Sequence, residues 1–137
     1  MADCYRLADC FFLSSLSEEW SLAKTEAMYF ELPLILTDVG GARDIIEDND
    51  IGILVPPAFS DPMEVSAANL WAYCTSEEPR NLDALAAALE DFYSRPDYWK
   101  AKAKAGRRKV LEKYTSAQAA AHHRRVFDGL AYSQYGR

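Results

Sequence analysis

The chain has 137 residues, one domain's worth, and half of them are apolar and 12% aromatic, enough for a packed core and too apolar for wholesale disorder. Fifteen basic against twenty-one acidic side chains leave a net charge of −6, which argues against a dedicated nucleic-acid binder. No apolar run reaches the roughly 20 residues of a bilayer span, the opening MADCYRLADC lacks the basic-then-apolar order of a signal peptide, and three cysteines are too few for a disulfide scaffold. The composition predicts a soluble, reduced, cytoplasmic protein with free thiols at Cys4, Cys10 and Cys74.

Cys10–Leu13 is a short apolar run between polar neighbours, the pattern of a strand buried on both faces in a parallel sheet. A polar loop, Ser14–Ser21, leads into a helix over Leu22–Phe30 that Pro33 stops. Leu34–Thr37 reads as a second buried strand. Gly40 and Gly41 then permit a tight turn before a short helix over Ala42–Glu47. Ile51–Val55 is a third strand, closed by Pro56-Pro57.

From there the chain turns helical. One helix is expected over Met63–Tyr73, ended by the polar stretch Thr75–Pro79. Asn81 is placed to cap an amphipathic helix with Leu82, Leu85, Ala86, Leu89, Phe92 and Tyr93 inward. Pro96 fits the first turn of the next, with Trp99, Ala103, Val110 and Leu111 inward. A last helix, Ser116–Tyr132, carries Ala119, Ala120, His123, Val126, Phe127 and Leu130. His122 and His123 are adjacent on it, about 100° apart, and cannot share a metal.

Strand–helix alternation means βαβ units and a parallel sheet. The expected class is α/β: a partial doubly wound, Rossmann-like parallel sheet of about three strands, followed by a helical C-terminal region. The division is 1–57 as strand/helix core, 58–80 as an extended link and 81–137 as C-terminal helices, all one partial domain. Sheets of this kind usually hold five or six strands, so the expectation is a domain whose first strands are missing. Charge is divided too. Residues 1–98 hold 5 basic and 19 acidic side chains, while residues 99–137 hold 10 and 2. That basic third is compatible with peripheral contact at an anionic membrane, but the simpler account is a solvated helix face lying near its own acidic half.

The informative stretch is Ser15–Met28, running from a strand through a loop into a helix. It holds Glu18 and Glu26, separated by seven residues, then Leu32-Pro33, an apolar strand, Thr-Asp-Val-Gly-Gly-Ala-Arg and Gly-Ile-Leu-Val-Pro-Pro. Two glutamates at that spacing mean little alone. In this setting the chain resembles the retaining GT-B glycosyltransferases of family 4, closely over residues 7–57 and loosely over Tyr98–Tyr114. The resemblance implies transfer of a sugar, of the hexosyl class, from a nucleoside-diphosphate sugar to an acceptor with retention of configuration, in polysaccharide or glycolipid biosynthesis. It implies a catalytic, sugar-contacting role for Glu18 and a ribose-binding role for Glu26, since ionised carboxylates accept from hydroxyl pairs. It places Glu19, Trp20, Ser21 and Leu22 at a helix N-terminus that suits a diphosphate without a metal or other cofactor. Gly40 and Gly41 are candidates for the same site, although a structural turn is the default for such a pair.

The chain departs from the family pattern in several places. Glu19 and Ser21 stand where glycines are common, as does Glu31, and 58–80 is a long link. The phosphate-clamping basic residues and the acceptor-binding N-terminal domain fall outside the match, and residues 1–57 offer only Arg6, Lys24 and Arg43 as cations. The chain alone is therefore expected to be an inactive donor-binding portion, and one that self-associates through its last helix or its first strand's edge. The alternative is a degenerate, non-catalytic domain that binds a nucleotide or partner.

Overall fold

The computed structural model describes residues 2–46, 50–59, 66–76 and 78–135. Three parallel strands, β1 (Phe11–Leu13), β2 (Leu34–Thr37) and β3 (Gly52–Val55), form a sheet in the order β1-β2-β3. Phe11 pairs with Leu34, and Leu34 with Gly52, so the strands start level, and β1 stops at Leu13, one residue before the ends of β2 and β3. Helices α2 (Leu22–Tyr29) and α3 (Ala42–Ile45) make the two crossovers. This is the open α/β sheet that the alternation predicts.

The core has two parts, one on each sheet face, because successive β2 side chains point to opposite sides. Leu34 and Leu36 join Ala27, Met28, Ile45 and Val110 on one face. Ile35 joins Val55, Ala88, Phe92 and Trp99 on the other. The second layer comes from α5 (Leu82–Ser94), and α6 (Pro96–Lys113) serves both, with Trp99 at one end and Val110 at the other. Trp99 is locked in place by donating from Nε1 to Asp91 at 2.8 Å, while Arg95 grips the same carboxylate.

The structure corrects several expectations. A helix, α1 (Ala2–Leu7), precedes β1, where the sequence pattern gives none; it buries no residue fully and leans on the core through Tyr5. Strand β1 is half-buried rather than buried on both faces, and Phe12 is 41% exposed, because only β2 flanks it among the described residues. In α5 the inward stripe is Leu85, Ala88 and Phe92; Leu82, Ala86, Leu89 and Tyr93 are exposed. Leu111 likewise faces out, and the inward stripe of α6 is Trp99, Ala103, Gly106 and Val110, with Gly106 against the backbone of Met28. Helix α4 runs over Leu70–Ser76, later than expected, and the Met63–Val65 part of that expectation lies outside the described residues, as does Glu47.

Basic α6 lies on the acidic half of its own chain. Lys100 pairs with Asp9, Arg107 with Glu31, and Lys109 with Asp50, the last at 2.7 Å with a further bond to the Ile45 carbonyl. The final helix, α7 (Ser116–Tyr135), leaves Val126, Phe127 and Leu130 exposed. Cys4, Cys10 and Cys74 are free thiols. His123 spends Nδ1 on the Ala119 carbonyl at 2.8 Å. No described helix is long and apolar enough to cross a membrane.

Candidate functional site

Parallel strands whose ends lie within one residue of each other put the loops after β1 and β2 side by side at their carboxyl ends, where open α/β sheets hold ligands. The loop 14–21 is fastened there twice. Thr37 Oγ1 donates to the Ser15 carbonyl at 2.7 Å, and the Gly41 N–H donates to the Glu19 carbonyl at 2.9 Å. The turn after β2 is itself anchored, since the Asp38 N–H reaches the Val55 carbonyl at 2.8 Å.

Gly40 is what allows this approach. Its φ is +52°, and a Cβ there would lie 1.6 Å from the Glu18 carbonyl oxygen. A Cβ on Gly41 would stand 2.6 Å from Cε3 of Trp20. The glycine pair is thus a turn and also the seat of the Glu18–Trp20 loop. The indole of Trp20 packs between that turn and Tyr114, at the end of α6, with ring centroids 4.9 Å apart. Trp20 is a buttress of the loop.

Under the loop lies Lys24, in the first turn of α2 and 1% exposed. Its Nζ sits 5.1 Å from the Trp20 ring centroid. Burial pushes its pKa down, and the charges of Glu18 and Asp44 pull against that shift. A cavity of about 10 Å³ separates Lys24 from Ser15, Glu18 and Thr37, too small for a phosphate. A ligand of the site would therefore rest on the loop and not beneath it.

Helix α2 begins at Ser21, which has extended φ and ψ but makes no side-chain cap bond. No acidic residue occupies its first turn. Its leading N–H groups and dipole are consequently left for an outside acceptor. Leu22 is exposed beside them, and Glu19 is exposed on the loop. Glu26 stands one turn further along α2, exposed, and accepts a hydrogen bond from the Tyr5 hydroxyl at 2.8 Å. The structure therefore gathers Glu18, Glu19, Trp20, Ser21, Leu22, Gly40 and Gly41 at the strand ends, with Glu26 on the adjoining helix.

Sequence reasoning missed two features of this region. Lys24 was visible as a charge, but its burial depends on the fold of Trp20 over it. Tyr5 belongs to a helix with no amphipathic signal. Among the described residues no cluster of three His, Cys, Asp or Glu is placed to hold a metal. A cavity of about 500 Å³ between Cys10, Pro33, Phe92 and Trp99 is apolar and shares no residue with the loop.

The fold recurs in a solved sucrose-phosphate synthase from Thermosynechococcus elongatus, with a TM-score of 0.71 and 22% identity. That match covers 95% of this chain and 27% of the other. In sequence, the chain is 36% identical over 90 residues to sucrose-phosphate synthase 4 of Arabidopsis thaliana, covering 58% of this chain and 9% of that protein. The chain thus spans a small part of either relative. The profile of the family described as Glycosyl transferases group 1 matches residues 1–87, which include the whole strand-end loop, both glutamates and the glycine turn. The chain belongs to that family of glycosyl transferases.

Proposed function

We propose that this chain is the donor-binding portion of a retaining GT-B glycosyltransferase, in which the nucleoside-diphosphate sugar lies across loop 14–21. In such a transfer the bond from the anomeric carbon to the distal phosphate oxygen breaks. A bond from that carbon to an acceptor hydroxyl forms on the same face. The acceptor's proton and the nucleoside diphosphate then leave. The charge that develops on the phosphate is the feature a catalyst must stabilise.

The single observation that carries this reading is the uncapped start of α2, with Lys24 in its first turn and Glu18 on the same loop. The N–H groups of Leu22 and Ala23 would take the distal phosphate, with the Lys24 ammonium adding positive charge from below. Glu18 would accept from the sugar's hydroxyls and Glu26 from the ribose. The reading needs no metal, because amides and an ammonium supply the positive charge. Location in the cytoplasm follows from where nucleotide sugars are made. The relatives are named for sucrose phosphate, a small sugar ester, which favours a sugar-phosphate acceptor over a polysaccharide or glycolipid.

Glu19 supports the second reading, a non-catalytic nucleotide-binding domain, because its exposed carboxylate sets negative charge beside the phosphate position. Titrating the chain with nucleoside diphosphates tests both readings, and assaying sugar transfer by the longer protein separates them. Millimolar binding, about −4 kcal/mol, is expected from these residues alone, with no transfer. In the longer protein, Glu18→Gln should abolish transfer while sparing nucleotide binding. Unchanged transfer in that variant would refute the catalytic assignment, and absence of any nucleotide binding would refute both readings.

A further inference from the structure

Glu26 is an exposed glutamate on a helix surface, free in principle to sample many rotamers. One contact singles out a conformation. Tyr5 reaches across from α1 and donates its hydroxyl to Oε2 of Glu26 at 2.8 Å, with the Ala23 carbonyl 3.5 Å from the tyrosine hydroxyl. The tyrosine is itself well held. Its ring stacks on Phe30 at 5.4 Å with 15° between planes, and meets Phe11 at 6.3 Å. Both contacts belong to the edge of the core that includes Met28 and Leu34. A rigid donor therefore meets a flexible acceptor, and the acceptor is the side that becomes ordered.

We infer that Tyr5 is a positioning residue for the nucleotide's ribose: it fixes Glu26 in the rotamer that presents the carboxylate to the ribose hydroxyls. The inference rests on the ribose-binding role proposed for Glu26. A carboxylate has about four lone-pair sites, so one bond from Tyr5 leaves Oε1 and a second site on Oε2 for two vicinal hydroxyls. Ordering a glutamate side chain beforehand removes an entropic cost that binding would otherwise carry. Burial raises the pKa of the phenol, and its hydrogen bond to Glu26 raises it further, so the hydroxyl remains a donor through neutral and mildly alkaline pH. The device also explains why a helix with no fully buried residue is held against α2.

The test is Tyr5→Phe, which removes the hydroxyl and keeps the stacking ring. Affinities of the purified chain are measured by NMR titration for UDP, GDP and ADP. The tightest of the three is then compared with its 2′,3′-dideoxy counterpart. Tyr5→Phe is expected to weaken the ribonucleotide three- to tenfold and to leave the dideoxy compound unchanged. A merely structural role would weaken both alike, and either that result or an unaltered ribonucleotide affinity overturns the inference. Tighter ribonucleotide binding would show that Tyr5 competes with the ribose and would overturn it as well. Glu26→Gln is run beside it. If that variant still prefers ribose as the unaltered chain does, the role of Glu26 itself is wrong; if it loses the preference and Tyr5→Phe does not, only the role of Tyr5 is.

Discussion

Gly40→Ala tests how the strand-end loop is built. Two effects add. At a φ of +52°, an L residue is disfavoured by roughly 1–2 kcal/mol. Part of this is recovered, about 0.4–1 kcal/mol, because alanine restricts the unfolded chain. The second effect is steric. A Cβ placed 1.6 Å from the Glu18 carbonyl oxygen has only backbone in front of it, so the loop must retreat by more than an ångström. That movement breaks the 2.9 Å bond from the Gly41 N–H to the Glu19 carbonyl, a loss of about 1 kcal/mol. The expected total is about 1–3 kcal/mol, read as a lower urea midpoint with an unchanged m-value. Gly52→Ala is the matched control. Its Cβ would meet the Leu34 carbonyl at 2.2 Å, also backbone, but in the β2–β3 pairing and away from the loop. Both variants should lose stability, while only Gly40→Ala, assayed well below its melting point, should lose nucleotide binding by tenfold or more. Full nucleotide affinity in Gly40→Ala would refute the claim that this turn seats the site.

Four further outcomes are expected. Lys24→Met should raise stability at neutral pH: burial lowers the folded-state pKa, so the unfolded chain binds more protons between that pKa and 10.5, and the gain should shrink as pH rises through this window. Asp91 is held below its ordinary 3.8 first by its bond from Arg95, with Trp99 contributing; its stabilisation is therefore present above 3.8 and lost as pH falls through the folded-state pKa, so Asp91→Asn should cost about 1 kcal/mol at pH 7 and progressively less as pH falls below 3.8 in thermal melts. Glu31→Gly should stabilise by about 1 kcal/mol, because Glu31 has φ 60° and its 3.8 Å pair with Arg107 is surface-exposed. Phe127, 66% exposed on α7 beside Val126 and Leu130, should drive concentration-dependent self-association that light scattering detects and Phe127→Glu suppresses.

The crossovers and strands were legible because Leu34–Leu36 is an unbroken apolar run, Pro33 stops α2 and the glycine pair marks the turn after Thr37. The placement of loop 14–21 was legible only through the resemblance carried by Glu18 and Glu26. Inward faces were harder. In α5 both Leu85 and Leu89 suit a buried position, and the choice is made by where Phe92 meets Trp99, a contact between two helices that no local periodicity encodes. Helix α1 escaped notice because six residues with one inward-leaning tyrosine give no period to detect. The burial of Lys24 went against residue-type expectation, since lysine is almost never fully buried unless paired. Such local violations concentrate at functional sites, and Lys24 lies under the loop in question.

The most direct test of the account is a map of backbone amide shifts as a nucleoside diphosphate is titrated into the chain. The account predicts that the amides of Leu22, Ala23 and Lys24 move first and furthest, with Gly40 and Gly41 following and the Glu26 side following only when the ribose is present. Inorganic pyrophosphate should reproduce the first set alone. Shifts confined to the apolar cavity near Phe92 and Trp99, or to the basic face of α7, with Leu22–Lys24 unmoved, would contradict it.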